Sequence, residues 1–119
     1  LSGTNNFHAV KKRKMHYGLD FTASKGTYIY PVMKGVVTKI GYDSGRGNWI
    51  EIDHQNGYSS RYLHCYLIYS KKNDEVSLDT IIASVGKTGM STGYHLHLEV
   101  RKDGAIMDPM EILKDLVWN

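Results

Sequence analysis

The sequence predicts a mainly β protein, on three observations. Six or seven short segments have the alternating pattern or the β-branched and aromatic content of strands, and Gly, Asn, Asp and Ser separate them. The chain contains 9 tyrosines and 12 glycines against 2 prolines, a composition typical of strands joined by tight turns. No helical period appears before the last stretch. Because 119 residues suffice for one compact core, we expect a single domain over residues 1–119.

The predicted strands follow one another with short connections. They span Met15–Phe21, Thr27–Tyr30, Gly35–Tyr42, Asn48–His54, Tyr58–Cys65, Ile81–Val85 and His95–Arg101. Asn56-Gly57 is the strongest short hairpin signal in the chain, so the strands on its two sides are expected to pair antiparallel. The segment from Ser70 to Asp79 is predicted to be a polar loop.

The end of the chain has a helical pattern. Asp108 can cap a helix, Pro109 suits its first position, and Glu111 falls three residues after the cap. An apolar stripe follows, formed by Ile112, Leu113, Leu116 and Val117. We therefore expect a short C-terminal helix that packs on the sheet.

The charge of the chain gives little indication of a partner. The formal net charge is +3 and the isoelectric point is near 8.9, which weakly favours an anionic partner. The densest basic run is Lys11-Lys12-Arg13-Lys14. No stacking aromatic residues are interleaved with it, so we predict a solvated flank and no nucleic-acid site.

Membrane, targeting and disulfide signals are missing from the sequence. No apolar stretch approaches the roughly 18 residues of a transmembrane helix, and no segment has the pattern of a signal peptide. A chain that opens at Leu1 is expected to be a mature or excised fragment. The single cysteine, Cys65, excludes an internal disulfide framework and a Cys-rich metal site. We expect it to be a small core residue.

Two histidines share one face of the last predicted strand. Side chains two apart in a strand point the same way, so His95 and His97 lie together, and the intervening Leu96 points to the other face. A His-x-His pair alone is also compatible with a surface pair or a hydrogen-bonded pair. The metal-binding interpretation therefore depends on a second strand.

That second strand is the HYGLDF segment. His16, Gly18 and Asp20 point to one side of it, and Gly18 leaves space between two potential ligands. Imidazole nitrogens and carboxylate oxygens are common zinc donors, and three protein ligands leave a fourth position open for water. His16, Asp20 and one of the later histidines would supply that set.

Three other sites are excluded by the sequence. The GKTG segment lacks the earlier glycine of a phosphate-binding loop, because position 81 is Ile81. No His-Glu-x-x-His helix is present. His64 and Cys65 are adjacent in a strand and face opposite sides, so they do not form a nucleophilic pair.

Four stretches resemble motifs of the lysostaphin-type (LytM-like) zinc metallopeptidases. They are HYGLDF from His16, GTYIYPVMKGVVTKIG from Gly26, GRGNWIEIDHQNGYSSRYLH from Gly45 and VGKTGMSTGYHLHLEV from Val85. They occur in the family's order and at about its intervals, between Met15 and about Pro109. Tyr94 departs from the family, because a proline usually precedes the His-x-His. We expect this change to alter substrate fit rather than chemistry.

The resemblance implies a role for each site residue. His16, Asp20 and His97 are expected to hold Zn²⁺, whereas His64 and His95 match the family's two catalytic histidines that are not ligands. A neutral imidazole near the metal can accept the proton of water and later pass one to the leaving amine. The implied fold is two-layer antiparallel β with an open groove over the metal.

The implied activity is cleavage of peptide bonds in bacterial peptidoglycan. A D,D-endopeptidase acting on direct cross-links is favoured over one acting on glycine bridges, and the expected location is the cell envelope, periplasmic or extracellular. A partner protein or pro-segment could regulate access to the groove. Two alternatives stay open: a non-catalytic LytM-like scaffold that binds or activates another cell-wall hydrolase, and a phosphocarrier, which Asp20 and the metal-type spacing disfavour.

Overall fold

Within its described part, the chain folds into one antiparallel sheet. The structure is a computed structural model that describes residues 11–15, 18–91 and 93–112, with the backbone alone described for 11–15. The strands are β1 Lys11–Met15, β2 Gly18–Thr22, β3 Tyr28–Ile29, β4 Gly35–Asp43, β5 Gly47–Gln55, β6 Tyr58–Ile68, β7 Glu75–Val76, β8 Ala83–Val85, β9 His95–Lys102 and β10 Ala105–Met107. The main order is β1-β2-β9-β6-β5-β4-β7, with β10 on β9 and β8 joining β3 to β6. The predicted mainly β antiparallel class is confirmed.

Most predicted strands are found with small changes at their ends. The predicted strand Met15–Phe21 is wrong in its extent, because β1 ends at Met15 and a separate strand, β2, begins at Gly18 and pairs antiparallel with it. The backbone of the basic run predicted as a flank forms edge strand β1. Strand β7 lies inside the predicted polar loop and was missed because two residues are too short to show an alternating pattern.

The predicted hairpin at Asn56-Gly57 is confirmed. Gln55 and Tyr58 are partners across it, and both central residues have positive φ, 54° at Asn56 and 85° at Gly57. This is the backbone of a tight turn whose twist matches that of the flanking strands. The turn thereby fixes the pairing of β5 with β6.

One face of the main sheet carries the hydrophobic core. Leu19, Leu98, Tyr62 and Ile50 are successive cross-strand partners on β2, β9, β6 and β5, and all are buried. Strands β3 and β8 add Ile29, Ala83 and Val85 to the same cluster, so they form a second layer over this face. Cys65 is also buried in this core, as predicted.

The opposite face of the sheet, called the cleft face below, carries the polar residues. Asp20 on β2 is the partner of His97 on β9, and His97 is the partner of Leu63 on β6. Because side chains alternate along each strand, the residues between the core positions gather on this face. Asp20, His95 and His97, three of the residues singled out by strand parity, therefore lie here.

A β-bulge in β6 changes the phase of the strand beside the cleft. Tyr62 pairs with Ile50 and Cys65 with Asn48, so β6 uses one residue more than β5 over this interval. His64 occupies the bulge with φ 65°. As a result Tyr62 and Cys65 both point into the core. Strand parity alone would place Tyr62 on the face of His64, either as a wall of the groove or as a packed tyrosine; the bulge instead turns it into the core, where it is packed and 1% exposed.

The C-terminal segment begins as predicted. Oδ1 of Asp108 accepts a hydrogen bond of 3.0 Å from the N–H of Met110, which is the expected cap. Helical structure starts at residues 110–112, and Ile112 packs against the core. Leu113, Leu116 and Val117 of the predicted stripe lie outside the described residues. No helix among the described residues is long and apolar enough to span a membrane.

Candidate active site

Asp20 and His97 meet on the cleft face. They are 77 residues apart in the chain, and Oδ1 of Asp20 lies 2.7 Å from Nδ1 of His97. Nε2 of His95 lies 3.8 Å from the same carboxylate oxygen. These side chains are half-buried, so the surrounding protein partly screens them from water. The structure thus brings together three of the five predicted site residues at one carboxylate.

The second ring nitrogen of His97 meets another carboxylate. Nε2 lies 3.3 Å from Oε2 of Glu99, and Oε1 of Glu99 accepts a hydrogen bond of 3.1 Å from Arg101. Burial alone would lower the pKa of His97, but the hydrogen bonds to Asp20 and Glu99 outweigh it and raise the pKa to about 9. The pKa of Glu99 is lowered, because its hydrogen bonds to His97 and Arg101 exceed the effect of burial.

Gly18 makes room for the His97 ring. A Cβ at position 18 would lie 2.2 Å from the carbonyl oxygen of Leu98 and 3.1 Å from two atoms of the His97 imidazole. Any larger residue would push β2 away from β9 or displace the ring. The predicted space beside Asp20 therefore exists, and the His97 imidazole fills part of it.

His64 and His95 are held in the same tautomer by backbone carbonyls. Nδ1 of His64 lies 2.7 Å from the carbonyl oxygen of Thr88, and Nδ1 of His95 lies 3.1 Å from that of Gly93. A carbonyl only accepts, so each ring carries a proton on Nδ1, and Nε2 is the nitrogen left for exchange with water or substrate. The two ring centroids are 5.4 Å apart, and that of His64 is 6.5 Å from His97.

The surroundings of His64 keep it neutral. Burial lowers the pKa of His64, and the neighbouring His95 and His97 lower it further, against the opposing effect of the Thr88 carbonyl and Asp20. A neutral imidazole with an available Nε2 is a proton acceptor at physiological pH. The geometry thus gives His64 the state that a general base requires.

Two backbone segments pack against each other next to His64, residues 43–47 and 86–91. Gly47 and Gly89 have positive φ, 67° and 75°, and a Cβ on either would overlap the other segment. Because neither glycine has a side chain, the two segments approach closely, and the hydroxyl of Thr88 accepts a hydrogen bond of 3.0 Å from the N–H of Asn48. This packing fixes the Thr88 carbonyl that orients His64.

His16, the third predicted zinc ligand, lies outside the described residues. Of the predicted ligand set, the described part of the chain contains Asp20 and His97, and in that part no three His, Cys, Asp or Glu side chains form a metal-binding group. Sequence reasoning missed the carbonyls of Thr88 and Gly93, because backbone acceptors have no residue signature. Cys65 takes no part, since burial raises the pKa of its thiol to about 12.

Known proteins resemble this chain in sequence and in fold. The sequence model described as Peptidase family M23 matches residues 14–109. The chain belongs to peptidase family M23. The catalytic domain of lysostaphin from Staphylococcus simulans superposes on this M23 chain with a TM-score of 0.82 at 30% identity, covering 94% of this chain and 96% of that domain. The resemblance to lysostaphin-type enzymes and the fold it implied are confirmed.

Two relatives of this M23 chain come from Vibrio cholerae. The peptidoglycan DD-endopeptidase ShyA is 39% identical over 105 residues, 87% of this chain and 24% of that protein. A zinc-containing peptidase is 37% identical with a TM-score of 0.77, covering 80% of this chain and 29% of that one. The chain spans 29% of the length of the first curated relative.

Proposed function

We propose that this M23 domain is a zinc-dependent endopeptidase that cleaves peptide bonds in bacterial peptidoglycan. The observation that carries the proposal is the meeting of Asp20 and His97 at 2.7 Å beneath two histidines of matched tautomer. Active sites require such convergence of titratable groups with perturbed pKa values. A packed sheet gains nothing from placing three imidazoles and a carboxylate together.

The donor set fits zinc. Asp20 offers a carboxylate oxygen and His97 an imidazole nitrogen, and these two atoms face each other at 2.7 Å; nitrogen and oxygen donors are those that zinc prefers in catalytic sites. His16 would complete the set with a second imidazole. When bound, zinc lowers the pKa of a coordinated water and polarises a carbonyl. Glu99 would then hold His97 through its Nε2–H, as carboxylates commonly do behind metal-binding histidines.

His64 and His95 would move the protons. Each has its Nδ1–H committed to a backbone carbonyl, so Nε2 is the atom that exchanges protons with water or substrate. His64, with its lowered pKa, is suited to accept a proton from the attacking water. Returning a proton to the leaving amine completes the exchange. The hydrogen bond from the His64 N–H to the Arg46 carbonyl, 2.9 Å, fixes the backbone from which the ring projects.

The substrate we propose is the direct cross-link between peptide stems. Support comes from ShyA, which is named a peptidoglycan DD-endopeptidase and is 39% identical to the chain over 105 residues. This substrate places the domain in the cell envelope. Because the chain covers only part of its relatives, control of access by another region or by a partner protein stays a prediction.

Purified sacculi provide the test. The protein, supplied with zinc, is incubated with sacculi with and without a chelator, and the released muropeptides are identified by mass spectrometry. We expect chelator-sensitive release of products cut at the cross-link, and no release by an Asp20→Ala variant. If the folded wild type releases nothing in either condition, the non-catalytic scaffold replaces the enzyme as the better interpretation.

A further inference from the structure

We propose that Lys87 determines specificity by binding a carboxylate on the carbon next to the scissile amide nitrogen. This inference rests on the proposed function and names its substrate class. The class is cross-links whose amine belongs to a diamino diacid, such as diaminopimelate, and excludes those whose amine belongs to glycine.

The backbone places Lys87 between the two contacts that orient the catalytic histidines. On one side, the carbonyl of Gly86 accepts a hydrogen bond of 3.3 Å from the N–H of His95. On the other side, the carbonyl of Thr88 accepts the Nδ1–H of His64 at 2.7 Å. A residue flanked by both contacts borders the space where these imidazoles act.

The side chain of Lys87 is directed by an aromatic ring. Its Nζ lies 4.9 Å from the centroid of the Tyr94 ring, and Tyr94 immediately precedes His95. A cation over an aromatic face is attracted to it, but its N–H groups stay available to hydrogen-bond an anion. Tyr94 stands where the family usually has proline, so this cation-supporting ring is a feature of the present chain.

Lys87 also lacks a carboxylate partner among the described residues. The guanidinium of Arg46 pairs with Asp43 at 2.6 Å, and that of Arg61 pairs with Glu51 at 2.7 Å. Arg101 pairs with Glu99. Within residues 18–91 and 93–112, Lys87 has no ion pair and is exposed. Its charge is therefore available to a bound anion.

The chemistry of the cross-link supplies that anion at the required place. In a D-alanyl to diaminopimelate cross-link, the carbon bonded to the scissile nitrogen carries a free carboxylate, whereas in a glycine bridge this carbon carries two hydrogens. His64 and His95 would serve the leaving amine, so a group flanked by their supports lies on the leaving side. A charge-assisted hydrogen bond from Lys87 would then distinguish the two bonds.

Paired substrates test the assignment. The zinc-supplied protein is given two cross-linked muropeptide dimers that differ only at that carbon, one with the free carboxylate and one with its carboxamide, and kcat/KM is measured for each. We expect the wild type to prefer the free acid by about tenfold, the contribution of one hydrogen bond to a charged group. The ratio of kcat/KM for the free acid to kcat/KM for the carboxamide should fall towards one in Lys87→Met and should stay near the wild-type ratio in Lys87→Arg. Lys72→Met, at an exposed turn, is the matched control and should keep it.

A binding measurement separates this inference from the proposed function. The tripeptide that contributes the amine of the cross-link is prepared alone, once with the free carboxylate and once with its carboxamide. Each form is titrated into the protein, and the NMR shifts of the Tyr94 ring and the Lys87 side chain are followed. We expect the NMR shifts of both side chains to change when the free acid is added and to change far less when the amide is added. Equal kcat/KM for the two dimers, or an acid preference that survives in Lys87→Met, overturns the role of Lys87 and leaves the endopeptidase standing. If no dimer is cleaved, the proposed function fails, and the titration still decides whether Lys87 binds the carboxylate.

Discussion

Oε2 of Glu99 lies 3.3 Å from Nε2 of His97, on the side of the imidazole away from Asp20. The two residues are two apart on β9 and share the cleft face. Both ring nitrogens of His97 thus face a carboxylate, Asp20 at Nδ1 and Glu99 at Nε2. We propose that, when Asp20 and His97 hold zinc, the Nε2–H stays with Glu99 and Nδ1 is left to the metal.

Removing Glu99 should weaken zinc binding. We expect Glu99→Ala to raise the zinc Kd by about 10- to 100-fold, as loss of a carboxylate behind a metal-binding histidine typically does. Glu51→Ala is the control, because it removes a carboxylate from the same face, where Glu51 pairs with Arg61 and does not contact His97. Both are measured by competition with a chelating dye. An equal loss in the two variants would mean that net charge, and not the contact with His97, is responsible.

Substitution of a predicted ligand and substitution of a predicted proton carrier should have different effects on the zinc content of the protein. Asp20→Ala should lose bound zinc and with it all muropeptide release, because a zinc site with a missing ligand loses most of its affinity. His64→Ala should retain about one zinc per chain while turnover falls by about 10²- to 10⁴-fold, the usual contribution of general acid–base catalysis. Elemental analysis gives the zinc content. Loss of zinc from His64→Ala would place His64 among the ligands.

The acidic limb of the pH profile should reflect His64. Its pKa is lowered from 6.5, and a general base is active when neutral, so activity should persist below pH 6.5 and fall only at more acidic values. The profile of kcat/KM for the zinc-supplied wild type checks this. His64→Ala should retain a residual rate in which that limb is absent or displaced. If the midpoint of the acidic limb of the wild type lies above pH 6.5, the neutral state assigned to His64 is contradicted.

Strand parity was sufficient to predict the faces of their strands on which Asp20 and His97 lie. Asp20 and His97 lie in regular strands, so their faces follow from a period of two, and the structure makes them cross-strand partners. Which strands are neighbours does not follow from parity, because β2 and β9 come from opposite ends of the sequence. The motif resemblance supplied that pairing.

Parity failed at His64 because β6 contains an extra residue. The bulge depends on the pairing of Asn48 with Cys65 and on contacts of residues 43–47 with residues 86–91, which are distant in sequence. His54 likewise ends the predicted strand Asn48–His54 next to the hairpin, so the local sequence alone indicates a turn residue. It instead bonds at Nδ1 to the Lys34 carbonyl, 2.9 Å, and at Nε2 to the Ser60 hydroxyl, 2.7 Å. Neither contact is local in the chain.

His54 should make the fold sensitive to acid. Burial lowers its pKa below 6.5, although the Lys34 carbonyl and Asp53 oppose this. Between the folded pKa and the unfolded value, the unfolded chain binds a proton that the folded chain does not, so the free energy of unfolding falls as the pH drops below about 6.5. Urea denaturation at about pH 7.5 and at about pH 5 should show a larger loss in the wild type than in His54→Gln. Identical losses would show that other groups control acid stability.

The last prediction concerns the polar chain that His54 begins. Nε2 of His54 lies 2.7 Å from the Ser60 hydroxyl. The Ser60 hydroxyl donates to Oη of Tyr62, 2.7 Å away, and the same Oη accepts the N–H of Val32 at 3.0 Å. The hydroxyl of Tyr62 thus connects the core of β6 to the segment after β3.

Tyr62→Phe should destabilise the protein by about 1–3 kcal/mol, because the buried Val32 N–H loses its acceptor and Ser60 loses a partner. Tyr58→Phe is the matched control on the same strand, since the Tyr58 ring is partly exposed with Lys102 over its face; its effect should stay within about 0.5 kcal/mol. Urea midpoints at equal m-values give both numbers. Equal effects in the two variants would mean that the Tyr62 hydroxyl contributes no more than a surface one, and the proposed stabilising role of its hydrogen bonds to Val32 and Ser60 would have to be abandoned.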